Sequence, residues 1–195
     1  GPADRGPGRT AAVSDRPAGA FQLVRDASAF AAVVARLRAS RRFAMDVEAD
    51  GFHRYPERVA LIQLAVDDGT IWLVDPLAVP DIAELGALLA DEKVQVVAHA
   101  AGYDVRSLYR DFRFALSELF DTAIAAQFCG ARFTGLAHVL DDVLGVQLTK
   151  TKRLQRTDWS YRPLSEDALC YAADDVRHLL PLADRLTENL ERLGR

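Results

Sequence analysis

The spacing of apolar residues divides the chain near residue 20. Positions 1–19 mix Gly, Pro, Ala and Arg without any period, so this stretch is expected to be a tail with no fixed structure and the folded domain to occupy 20–195. From there the pattern is continuous. Residues 21–24 read as a short strand. Ser28 is placed to cap a helix over 28–38, because Phe30, Val33, Val34 and Leu37 fall on one helical face. Segments 42–48, 59–66 and 70–74 read as three successive strands, followed by a helix near 81–89. An apolar strand over 94–98 and a helix starting near Tyr103 come next. Helices are then expected over 121–128 and 136–144, the second closed by Gly145. A polar, basic stretch at 147–163 precedes the last helices, which open at Ser165 ahead of Glu166 and Asp167. Strands first and helices interleaved later predict an α/β fold, a sheet with helices packed on it.

Composition narrows the function classes. A length of 195 residues with half of them hydrophobic suits one domain with a substantial core. The net charge of −4 argues against a broad duplex-binding surface, yet it is compatible with an acidic metal site and a local basic patch. No apolar run approaches the roughly 20 residues that span a bilayer. No membrane association and a cytoplasmic location are therefore expected. Cys129 and Cys170 are far apart and form no C-x-x-C pair; they read as small buried hydrophobes. The four histidines, at 53, 99, 138 and 178, lack zinc-ligand spacing.

The candidate chemistry lies in the acids. Asp46 and Glu48 are two apart at the end of the strand 42–48 and so share one face of it. Like charges resist being placed together at the end of an apolar strand, and a divalent cation would remove that conflict. A solvated strand end fits the same pair. Asp104 follows the strand 94–98 by a short loop, at a position where an acid also serves as an ordinary helix N-terminal charge. Tyr171 and Asp175 are four apart, hence on one helical face, although a surface tyrosine above a surface acid has the same spacing. Taken together, carboxylates without histidine or thiolate suit two magnesium or manganese ions. Such a pair, roughly 3.5–4 Å apart, activates a water and stabilises the leaving oxygen of a phosphodiester.

These residues occur in the order that marks one family. Asp46-Val47-Glu48 is followed by Leu61-Ile62-Gln63-Leu64 and Leu73-Val74-Asp75-Pro76-Leu77. Then come His99-Ala100-Ala101-Gly102-Tyr103-Asp104, Asp121-Thr122, and Ala126-Gln127-Phe128-Cys129-Gly130. Arg156-Thr157-Asp158-Trp159-Ser160-Tyr161-Arg162-Pro163-Leu164-Ser165 leads into Tyr171-Ala172-Ala173-Asp174-Asp175-Val176. The set resembles the DEDDy branch of 3′–5′ exonucleases, and within it ribonuclease D. The resemblance implies a ribonuclease-H-like fold with a central mixed β-sheet flanked by helices. It implies that Asp46, Glu48, Asp104 and Asp175 hold two metal ions and that Tyr171 positions the attacking water. Asp175 takes the metal role because it lies four residues after Tyr171, which leaves Asp174 as a solvated neighbour. Two substitutions depart from the pattern: Val47 stands where Thr is common, and Ala100 where many relatives outside ribonuclease D carry Asn. Nor does the sequence present the C-terminal helical domains of full-length ribonuclease D.

The expected substrate is a single-stranded RNA 3′ end or a short oligoribonucleotide, cleaved to 5′-monophosphates. Single-stranded DNA and a non-catalytic nucleic-acid-binding module stay open as alternatives. Lys150, Lys152, Arg153, Arg156 and Arg162 form the densest positive stretch, a phosphate-binding candidate or an exposed loop. Phe52 is a candidate to stack on terminal bases or to join the core. His53, Tyr55, Gln63 and His99 are weaker candidates for contacts with the terminal nucleotide.

Overall fold

In a computed structural model of the protein, the structure describes residues 20–51, 55–148 and 154–195. The expected tail over 1–19 lies outside these residues, as do Phe52, His53, Lys150, Lys152 and Arg153.

Among the described residues, six strands form one mixed sheet: β1 (Gln22–Val24), β2 (Arg42–Ala49), β3 (Val59–Ala65), β4 (Ile71–Val74), β5 (Gln95–Ala98) and β6 (Glu118–Asp121). Their spatial order is β1-β4-β3-β2-β5-β6. The central strand β3 runs antiparallel to its neighbours β2 and β4, while β1, β5 and β6 add parallel pairings at the flanks. β3 reads Val-Ala-Leu-Ile-Gln-Leu-Ala and is buried along its whole length, as a central strand covered on both faces must be. Among the described residues, seven α-helices flank the sheet: α1 (Ala27–Ser40), α2 (Ala83–Leu89), α3 (Gly102–Phe112), α4 (Thr122–Phe128), α5 (Leu136–Leu144), α6 (Glu166–Arg177) and α7 (Leu179–Arg192).

Alternation along the strands sorts side chains into two cores. On one face Phe43, Met45 and Val47 of β2 join Ile62, Leu64 and Val74 beneath α1, α2 and α3. On the other, Ala44, Leu61, Ala65 and Leu73 meet Ala172, Ala173 and Val176 of α6, with α7 and α5 beyond. The alanines of α6 let that helix lie close over β2, β3 and β4.

Local details correct three expectations. Asp26, not Ser28, caps α1; its carboxylate accepts from the Ala29 amide at 2.9 Å, and the helix begins at Ala27, which puts Ser28 inside the first turn. Residues 118–121 form a strand that precedes α4, although its short run of exposed and half-buried positions carries no alternation. Cys129 and Cys170 are half-buried rather than buried. Gly145 closes α5 at φ 69°, a left-handed conformation that suits a residue without a Cβ. Ser165 caps α6 by accepting from the Ala168 amide. Among the described residues, no helix is long and apolar enough to cross a membrane.

Candidate active site

The site forms where neighbouring strands end at different heights. β2 and β5 are parallel with Ala44 level with Val97, so Met45 is level with Ala98, the last residue of β5. Beyond that point β5 turns away and β2 continues for four residues. Asp46 and Glu48 project from this overhang onto the face covered by α6. A cleft at the carboxyl ends of parallel strands, bordered by the turn after β5, is where α/β sheets commonly bind ligands.

α6 supplies the rest of the acidic group. Asp175 is 7% exposed, and it offers a carboxylate oxygen within 4.8 Å of those of Asp46 and Glu48. All three line an open cleft of about 430 Å³ together with Tyr171, one helical turn before Asp175. Asp174 faces the other way and pairs with Arg177 at 2.8 Å. The ring of Tyr171 is backed by the buried Trp159, with centroids 6.3 Å apart.

Asp104 stands outside the three-carboxylate group yet within its electrostatic reach. It lies in the first turn of α3 and is 6% exposed. Burial, then the charges of Asp121 and Asp175, push its carboxyl up to about 7. Four acids converge here at a cost that a divalent cation would offset. The donor set fits such a cation: hard carboxylate oxygens with no thiolate among them, the chemistry of magnesium or manganese sites.

A fifth acid, which sequence reasoning left without a role, organises the turn between β5 and α3. Asp121 caps α4 through the Ala123 amide and also accepts from the amides of Ala100 and Ala101, each at 2.9 Å. Ala100 sits at φ 55°, a left-handed conformation that costs a residue with a Cβ roughly 1 kcal/mol and is held here by those bonds. The next residue, Thr122, places its hydroxyl 3.0 Å from the Ala98 carbonyl and 2.8 Å from His99 Nδ1. His99 Nε2 faces the Thr134 carbonyl at 2.7 Å, which only accepts, so the ring carries a proton on Nε2. The signal for Asp121 was present in the chain: an Asp-Thr pair directly before Ala-Ile-Ala-Ala is a helix cap.

A family model described as 3′–5′ exonuclease matches residues 21–191, nearly the whole described domain. The chain belongs to the 3′–5′ exonuclease family. Ribonuclease D of Escherichia coli (strain K12) is 34% identical over 175 residues, covering 89% of this chain and 46% of that protein. Ribonuclease D of Gluconacetobacter diazotrophicus is 39% identical over 165 residues, 84% of this chain and 41% of that one. The crystal structure of Escherichia coli RNase D, an exoribonuclease involved in structured RNA processing, superposes with a TM-score of 0.82 at 34% identity. It covers 90% of this chain and 46% of that one. The catalytic core of RRP6 from Trypanosoma brucei superposes with a TM-score of 0.83 at 29% identity, over 90% of this chain and 48% of that one. The sheet and its flanking helices are thus the ribonuclease-H-like fold of these exonuclease domains. The chain spans about half the length of the curated ribonuclease D proteins it matches.

The remaining candidates of this exonuclease domain scatter more widely. Tyr55 is fully exposed, and Arg156 is exposed at the end of a 3-10 turn over Leu154–Arg156. His99 lines the cleft, but its ring nitrogens are occupied by Thr122 and the Thr134 carbonyl, so it braces the far wall. Gln63, on β3, has no exposed surface; it pairs in register with Asp46 of β2 and lies beneath the site, out of a nucleotide's reach. Arg162 is corrected outright from a phosphate contact to a structural anchor. Its guanidinium grips the buried Asp75 through Nε at 2.7 Å and Nη2 at 2.9 Å, and it donates to the carbonyls of Ala60, Trp159 and Tyr161. A carboxylate 2% exposed requires such a partner, and only the fold reveals which arginine provides it.

Proposed function

We propose that this protein is a divalent-metal-dependent 3′–5′ exoribonuclease that removes nucleotides from single-stranded RNA 3′ ends as 5′-monophosphates. The observation that carries the reading is the set of carboxylate oxygens from Asp46, Glu48 and Asp175, within 4.8 Å of one another, in a cleft that Tyr171 also lines. Two magnesium or manganese ions, held by Asp46, Glu48, Asp104 and Asp175, would supply an activated water and charge neutralisation at the leaving 3′-oxygen.

The side chains divide the remaining work. Tyr171 presents its hydroxyl from the same helical face as Asp175 and orients the attacking water toward the phosphorus. Trp159 behind the ring limits its rotation. Asp121, by holding the turn at 99–101, fixes the start of α3 and therefore the direction of Asp104. Membership of the exonuclease family and the likeness to ribonuclease D support RNA as the substrate. The acidic net charge supports a short grip on the strand and a preference for short oligoribonucleotides.

RNA and DNA strands of one sequence, about twenty and about five nucleotides long, decide the substrate. With magnesium or manganese, RNA should be shortened faster than DNA, and the shorter RNA should lose little in turnover. A 3′-phosphate should block the reaction, since the terminal sugar must sit beside the carboxylates. Preference for DNA would move the reading to a deoxyribonuclease on the same site.

A further inference from the structure

Facing the carboxylates across the cleft is the short connection between α4 and α5, where Thr134, Gly135 and Leu136 form part of the lining. Just outside that wall stands Phe133, 59% exposed. We propose that Phe133 is a stacking platform for a nucleobase next to the scissile phosphodiester; this rests on the single-stranded substrate proposed above.

Three observations carry the inference. First, the ring is exposed one residue from the cleft-lining Thr134, although a phenyl group gains by leaving water. Second, its backbone is anchored. The Thr134 carbonyl is bonded to His99, and Gly135 is the N-cap of α5, so the backbone next to the ring is fixed. Third, Phe133 is half of an aromatic pair. The His138 imidazole lies 5.4 Å away with its plane tilted by 35°. The two exposed rings thus pair on the segment that flanks the cleft-lining residues Thr134, Gly135 and Leu136. Arg132, exposed immediately before Phe133, adds a cation suited to a phosphate of the same strand. Aromatic faces next to basic side chains hold single strands with little sequence preference, because every base offers a π-face. No carboxylate of the site belongs to this segment, so the ring pair binds and does not take part in the chemistry.

The test compares wild type, Phe133→Ala and Phe133→Trp on 5′-labelled single-stranded RNA, intact or lacking the base beside the scissile bond. Phe133→Ala should raise KM roughly five- to hundredfold and leave kcat within about twofold, and Phe133→Trp should restore KM. Removing the base should cost wild type the same factor and cost Phe133→Ala almost nothing more. Wild-type KM in Phe133→Ala, or two losses that multiply, would overturn the platform while the exonuclease reading stands. A wild type that fails to shorten RNA with metal present would remove both together.

Discussion

The two faces of β2 are built from the same eight residues and meet opposite demands. Phe43, Met45 and Val47 enter a core of aliphatic and aromatic side chains and are at most 5% exposed. On the alternate face Ala44 is equally buried, but Asp46 and Glu48 follow it into a cleft with Asp175. The first face is optimised for burial. The second gathers carboxylates beside the buried Asp104, whose carboxyl is pushed up to about 7 by burial and by the charges of Asp121 and Asp175. Stability and chemistry are therefore carried by different faces of one strand, and substitutions should separate them.

The largest effect is expected in activity. Asp46→Asn or Asp175→Asn deletes a proposed metal ligand at constant shape, and should lower kcat by about a thousandfold, the several kcal/mol that a metal's charge stabilisation supplies. The metal-free fold should be no less stable, since one like charge is gone. Asp174→Asn, on the outer side of α6, should change kcat by less than about threefold. If Asp174 proved the sensitive one, the register of α6 in the site would be wrong.

A comparable cost, but in stability, is expected at Arg162→Met. It strands the Asp75 carboxylate in the interior and should destabilise the fold by about 3–5 kcal/mol in urea denaturation. Loss of RNA affinity with unchanged stability would instead return Arg162 to phosphate binding. On the apolar face, Met45→Ala should cost about 2–5 kcal/mol and leave the kcat of the folded fraction unaltered. A fall in kcat there would deny the separation of the two faces.

The pH dependence is smaller and has a definite sign. Asp104 is raised above its unfolded value, so in metal-free protein its penalty is absent below about pH 4 and grows as pH rises toward 7. Metal binding requires the ionised form. Manganese affinity, followed by calorimetry, should thus increase as pH rises to about 7 and level off above it, with proton release on the acid side. An affinity flat from about pH 5 to about 8 would contradict the assignment of Asp104.

Much of this was legible in the chain. The alternation of β2 and β3 fixed which side chains share a face, and the four-residue step from Tyr171 selected Asp175 over Asp174. What escaped depends on distant partners or on very short elements. β6 has only four residues, none of them fully buried, so no period marks it. Arg162 sits in a basic stretch and reads as a phosphate ligand until the fold brings Asp75 beside it. Gln63 was a weaker candidate for the terminal nucleotide, yet β3 is central and leaves none of it exposed. Asp121 was recognisable as a cap, but its two bonds to the turn at 99–101 join segments twenty residues apart.

The central claim is that carboxylates on one face of the sheet hold metal for hydrolysis from a 3′ end. Its most direct test is a time course on 5′-labelled linear RNA and on circular RNA, using metal-stripped protein with manganese or magnesium restored or withheld. The account predicts a ladder that shortens steadily from the 3′ end of the linear strand, no cleavage of the circle, and silence without metal. Full activity in excess chelator would contradict the metal site, and cleavage of the circle would contradict exonucleolytic action.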